Sequence, residues 1–122
     1  MLCFHVQIRG ASQSAPLSVS FDASLAALAR LPALYIEPDG SFVWSGSTSS
    51  GQRWQVDGNL VDRGDVLDCV ELKGRCLEEK FDELLGALGW PENPLEFQLP
   101  QRGVSLGEEE FRRLAATAGG VH

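Results

Sequence analysis

The chain has 122 residues and a net charge of −7, and 43% of its residues are hydrophobic and 22% charged. This length suits one domain over residues 1–122, able to bury a core without metals or disulfides. Acidic residues outnumber basic ones 17 to 10, and the chain has no cluster of Lys or Arg. We therefore expect neither nucleic acid nor a membrane as a partner.

The N-terminal half begins with alternating apolar and polar residues, the pattern of half-buried strands. Residues 2–9 and residues 17–21 both follow it, and we predict that they pair as a hairpin. Asp22 is predicted to cap a short helix, because its carboxylate can accept a hydrogen bond from the first turn. Pro32 ends that helix, since the residue before proline is pushed out of the α region.

Four further runs are rich in aromatic and β-branched residues, which favours strands. They are separated by turn-forming segments and by no helical crossover, so we predict an antiparallel meander. The four runs cover residues 33–37, 41–45, 53–57 and 66–73.

The segment Pro38-Asp39-Gly40 predicts a tight hairpin loop between the first two of these runs. Proline presets φ and glycine accepts a positive φ, which favours a type I turn followed by a bulge at Gly40. This loop sets the register, with Leu34 opposite Trp44 on the apolar face. The turn interpretation is preferred to a carboxylate site at Glu37 and Asp39.

The next loop, residues 46–51, is rich in Gly and Ser. If it is symmetric about Ser49, Trp44 lies opposite Trp54 and Phe42 opposite Val56. A cross-strand tryptophan pair on an apolar sheet face is expected to belong to the core.

Two helices are predicted in the C-terminal half. Leu and Phe recur at helical spacing around residues 76–88, and Gly89 can close that helix in the left-handed conformation. Ser105 and Glu108 have the spacing of a capping box before a helix around 106–118. The expected fold class is α+β: an antiparallel meander sheet of about five or six strands, one main helix on a sheet face, and a C-terminal helix.

The leading functional hypothesis is a non-catalytic cytoplasmic interaction or adaptor module, because no catalytic, phosphate-binding or secretory motif occurs. Its expected partner is a protein, with a second copy of the chain as one candidate. The predicted surface combines apolar residues on the polar sheet face with the acidic helix face: Tyr35, Val43, Glu78, Glu79, Asp82 and Glu83.

The alternative hypothesis is a small-molecule- or metal-binding protein, such as a hydrolase, with an aromatic and acidic pocket. Its lining would be Trp44, Trp54, Asp57, Asp62, Asp65 and Asp68. The acidic loop lacks the ligand spacing of an EF-hand, so no metal and no cofactor is predicted. Cys3, Cys69 and Cys76 contain no CxxC pair and are expected to be free thiols.

Overall fold

The computed structural model describes residues 1–12 and 15–122. Within these residues the chain forms a seven-stranded antiparallel sheet and three helices, so the fold is α+β as predicted. No helix in the described part is long and apolar enough to cross a membrane. In chain order the elements are β1 (Leu2–Gly10), α1 (Phe21–Ala29), β2 (Leu34–Ile36), β3 (Ser41–Ser47), β4 (Arg53–Arg63), β5 (Val66–Cys76), α2 (Glu78–Ala87), β6 (Leu95–Leu99), β7 (Val104–Leu106) and α3 (Glu108–Ala115).

The first strand lies inside the sheet, which has the order β2-β3-β4-β5-β1-β6-β7. Strands β2 to β5 pair in chain order, as in the predicted meander. Strand β1 then inserts between β5 and β6, with Leu2 opposite Cys76 on one side and Gln7 opposite Gln98 on the other. Both edges of the sheet are three-residue strands, which limits unwanted strand pairing.

The predicted hairpin between residues 2–9 and 17–21 is wrong. No strand covers 17–21; the Leu17 N–H donates to Leu67 O, and Ser20 makes an isolated bridge to Val66. Ser20, not Asp22, caps α1, because its hydroxyl accepts a hydrogen bond from Ala23 N at 3.0 Å. The apolar residues of this segment cover the core instead of extending the sheet.

The β2–β3 turn and its register are as predicted. Gly40 N donates to Glu37 O, and Glu37 N donates to Ser41 O, both at 2.9 Å. Gly40 has φ +94°, a region that glycine enters without a steric penalty. Leu34 therefore lies opposite Trp44 in the core.

The β3–β4 loop repeats this turn one residue later than predicted. Thr48 N donates to Gln52 O, and Gly51 N donates to Thr48 O, with Gly51 at φ +89°. The loop is therefore centred on Ser50, and the predicted opposition of Trp44 and Trp54 is wrong. Trp44 lies opposite Val56 and Trp54 opposite Gly46. Since the shift is two residues, each side chain stays on its predicted face.

Residues 58–63 were expected in a loop but continue β4. Asp57-Gly58 is no turn, because Gly58 lies opposite Phe42 and a Cβ there would overlap the Phe42 ring. The hairpin turns farther along, at Gly64 with φ +67°. Glycine is therefore required at position 58 by a close packing contact with Phe42 and not by a turn.

Four phenylalanines join the sheet to two of the helices. Phe4 of β1 lies 5.2 Å from Phe81 of α2, and Phe97 of β6 lies 4.8 Å from Phe111 of α3, measured between ring centroids. All four side chains are fully buried. Burial of aromatic rings is a large favourable contribution to folding, so this cluster holds α2 and α3 on one sheet face.

The C-terminal segment differs from prediction just before α3. Ser105 lies in β7, where it pairs with Gln98, and the residue that precedes α3 is Gly107. The predicted capping box is therefore wrong. The tail is held rather than frayed, because Val121 is buried and exchanges hydrogen bonds with β1 through Cys3 O and His5 N.

Arg112 fastens α3 to α2. Its guanidinium pairs with Asp82 at 2.7 Å and with Glu108 at 2.9 Å. It also lies 5.2 Å from the ring centroids of both Phe81 and Trp90. The side chain is 12% exposed, so these contacts are weakly screened by solvent compared with surface pairs.

Replacing Arg112 with Ala should lower the free energy of unfolding by about 2 kcal/mol, because the change unpairs three carboxylates and removes packing between two rings. Arg113 is the matched control, since it is 73% exposed and, within the described residues, pairs with Glu110 alone. Its replacement by Ala should cost less than about 0.5 kcal/mol. Urea unfolding measures both values, and equal losses would contradict this role for Arg112.

Gly40→Ala should lower the free energy of unfolding by about 2 kcal/mol, because φ is positive and a Cβ would lie 2.8 Å from Leu60 O. Gly51→Ala provides the control: its turn is the same, but its Cβ would have no neighbour within 4 Å. It should cost about 1 kcal/mol, from backbone strain alone. A Gly40 variant as stable as the Gly51 variant would show that the Leu60 contact imposes no constraint.

Candidate functional site

The sheet has one covered and one uncovered face. Along β1, residues 2, 4, 6 and 8 are buried, and residues 3, 5, 7 and 9 are half-buried on the opposite side. The helices pack on the buried side, where Phe4 contacts Phe81 and Phe111. We call the opposite side the open face. An antiparallel sheet can leave one side to water when its strands alternate in this way.

The register aligns the side chains of the open face in rows across the strands. The central row consists of Tyr35, Val43, Asp57, Lys73 and His5, from β2 to β1. The rows on either side are polar. One contains Ser45, Gln55, Arg75 and Cys3, and the other contains Ser41, Asn59, Glu71, Gln7, Gln98 and Ser105.

A shallow cavity of about 230 Å³ lies at the middle of the open face. Its lining includes His5, Asp57, Glu71 and Lys73, so it brings a carboxylate, an ammonium group and an imidazole close together. The sequence alone offered no reason to group His5 with these charged residues. Strand register supplies the missing signal, because it places Lys73 between Asp57 and His5.

Tyr35 and Val43, the predicted apolar contacts, do lie together on the open face. They are directly opposite each other on β2 and β3. Tyr35 is 74% exposed, the largest exposed fraction among the large hydrophobic side chains that the structure describes as exposed. Both side chains line a second shallow depression next to Glu37.

The acidic part of the predicted surface lies elsewhere. Glu78, Glu79, Asp82 and Glu83 belong to α2, which packs on the covered face. Several of these carboxylates are engaged within the chain: Asp82 and Glu78 pair with Arg112, and Glu83 pairs with Lys80. The six predicted contact residues therefore form two separate surfaces, one on each side of the sheet.

The predicted aromatic and acidic pocket is also divided by the sheet. Trp44 and Trp54 are buried on the covered face, in edge-to-face contact with centroids 5.2 Å apart. The Trp44 indole N–H donates to Pro32 O at 2.9 Å, which satisfies its polar group. Asp57 points to the open face, opposite Val43. The tryptophans therefore belong to the core and lie on the opposite side of the sheet from Asp57.

The other predicted acids lie toward the end of the β4–β5 hairpin. Asp68 pairs with Arg9 at 3.1 Å and with Arg63 at 3.6 Å. Asp62 and Asp65 line a separate depression near the start of α1. Among the residues that the structure describes, no group of three or more His, Cys, Asp or Glu side chains could hold a metal ion.

The cysteines differ in their environment. Cys3 is half-buried on the open face, whereas Cys69 and Cys76 are buried. Burial raises the pKa of the Cys69 thiol and raises that of Cys76 to about 12. The folded state therefore holds the Cys76 proton more tightly than the unfolded chain, and stability falls as the pH rises from 9.0, the ordinary pKa, towards about 12.

Comparisons with known proteins give no relationship for this chain. No family model, no curated protein and no solved structure matches it. The geometry of the open face and the distribution of charge are therefore the basis for assigning a function.

In the native protein, Cys3 should be the thiol that reacts with a disulfide reagent near neutral pH. Burial suppresses thiolate formation at Cys69 and Cys76. Timed labelling with an aromatic disulfide and mass spectrometry measure which thiols react. The Cys3→Ser variant should lose the fast reaction, and unfolding should expose the remaining two thiols. Fast labelling of Cys76 in the folded state would contradict the packing described for β5.

Proposed function

We propose that this chain is a non-catalytic protein-interaction module that binds its partner with the open face of the sheet. The exposed Tyr35 beside Val43 carries this proposal. Tyrosine is enriched at interfaces because it offers a large rigid ring and a hydroxyl that stays hydrogen-bonded. The polar rows on either side of Tyr35 form the kind of rim that surrounds a central aromatic residue in an interface.

The distribution of charge supports the same surface. Residues 78–92 and 108–113, on the helical side, carry eight acidic and three basic side chains. The open face carries both signs in similar numbers: Arg9, Arg53, Lys73 and Arg75 are basic, and Glu37, Asp57, Asp68, Glu71 and Glu96 are acidic. In a chain with net charge −7, this face repels an approaching acidic protein least.

The hydrogen-bonding groups of the open face also suit a protein partner. Its rows present amides, hydroxyls and charged groups of both signs, which can pair with polar side chains of a partner. Three free cysteines support a cytoplasmic location for this module, because thiols stay reduced there.

A photo-crosslinking side chain, benzoylphenylalanine, at position 35 tests the proposal. Tyr35 is already exposed, so the larger ring should not disturb the core. Irradiation of cells should join position 35 to a defined protein, and excess unmodified chain should suppress the product. The control is the same side chain at Glu109, which is exposed on the helical side. Indistinguishable products from the two positions would contradict an interface at the open face.

A further inference from the structure

We propose that the open face binds the open face of a second copy of this chain. The two sheets would pack face to face about a two-fold axis that runs along the central row, so that the strands of the two copies are antiparallel. This inference rests on the proposed function and names the partner.

Several charged side chains of the open face form no ion pair among the residues that the structure describes. Over the described residues, five of the ten basic side chains form ion pairs with carboxylates. Of the other five, Arg53, Lys73 and Arg75 lie together on the open face. Asp57 and Glu71 make no ion pair within these residues either, although both lie next to Lys73 in the sheet.

The unpaired basic and acidic side chains that flank the central row lie on opposite sides of it along the strand direction. Arg53 and Arg75 lie on one side of the central row, toward the start of β4 and the end of β5. Glu71 lies on the other side, and the Asp68 carboxylate beyond it is already paired with Arg9 and Arg63. Along β5 the unpaired charge therefore changes from basic at Arg75 to acidic at Glu71.

A two-fold axis along the central row would bring the basic position of each copy opposite the acidic position of the other. The axis passes Lys73, and positions 75 and 71 lie two residues away on either side of it in the same strand. Rotation places Arg75 of each copy over Glu71 of the other, twice per dimer. Packed sheets lie about 10 Å apart, a gap that an arginine and a glutamate reaching toward each other can span.

The central row is compatible with the same axis. Tyr35 and Val43 of one copy meet their equivalents, which buries the exposed ring against apolar groups. The axis places Lys73 over Lys73 and Asp57 over Asp57. Because neighbouring strands lie only about 4.8 Å apart, the flexible lysine side chain can lean along the row to the aspartate of the other copy. A single patch that contacts itself is the normal form of a two-fold interface.

Sedimentation of the full chain, from micromolar to submillimolar concentration, tests this inference. The wild type should show a monomer–dimer equilibrium that weakens with salt, because exposed ion pairs are screened. Arg75→Glu alone and Glu71→Arg alone should each raise the dissociation constant at least about tenfold by placing like charges together. Arg30→Glu, at the exposed end of α1, is the matched control and should leave association unchanged.

Mixing the two variants gives the decisive result. One copy would then carry glutamate at both positions 71 and 75, and the other would carry arginine at both. The pair should associate more tightly than either variant does alone. Thermal unfolding of each variant measures folding independently, so that a folding defect is not mistaken for lost association.

The wild type remaining monomeric at every concentration would overturn the inference, and so would a mixture that associates no better than the separate variants. Either result combined with capture of a different protein from position 35 would leave the interaction module standing with another partner. Absence of both self-association and specific capture would overturn the interaction module as well.

Discussion

The packing of α2 and α3 on a single cluster of phenylalanines determines the rest of this structure. Phe4 lies in the inserted strand β1, and Phe81 and Phe111 bring the two helices onto the same side of it. Because these rings are fully buried, moving either helix to the other face would expose them to water. The helices therefore share one face and leave the other uncovered.

The position of β1 explains why this arrangement is possible. If β1 lay at an edge of the sheet, its apolar side chains would extend the surface available to the helices on one side only. Inserted between β5 and β6, it links the four-strand meander to the two last strands and presents Phe4 near the middle. Val121 extends the pairing along the part of β1 that β6 does not reach. Residues near the start of the sequence, in β1, and Val121 near its end therefore both contribute to the core.

Local turn chemistry made part of this fold predictable. The Pro-Asp-Gly segment determines the β2–β3 register because Gly40 must take a positive φ. The same rule applies to Gly51, and treating that loop as symmetric about Ser49 instead moved the predicted register by two residues. The class of fold and the main helix followed from hydrophobic periodicity, which reports burial directly.

Contacts that are distant in sequence were not predictable in this way. The insertion of β1 and the packing of the Phe42 ring against Gly58 depend on tertiary contacts. For the candidate site, alternation correctly placed Tyr35 and Val43 on the polar face. It could not show that the α2 carboxylates lie on the opposite side, nor that Lys73 falls between Asp57 and His5.

In the dimer proposed above, two open faces meet with their strands antiparallel. A distance between spin labels tests this arrangement most directly. A nitroxide at Ser47→Cys, in a Cys3→Ser background, lies four residues from Val43 of the central row on the exposed end of β3. A strand rise of about 3.4 Å per residue and a sheet separation of about 10 Å predict a separation near 30 Å between the labelled backbones in the dimer. Electron–electron resonance should show that distance, broadened by the label linkers, and a featureless intermolecular decay would contradict this arrangement.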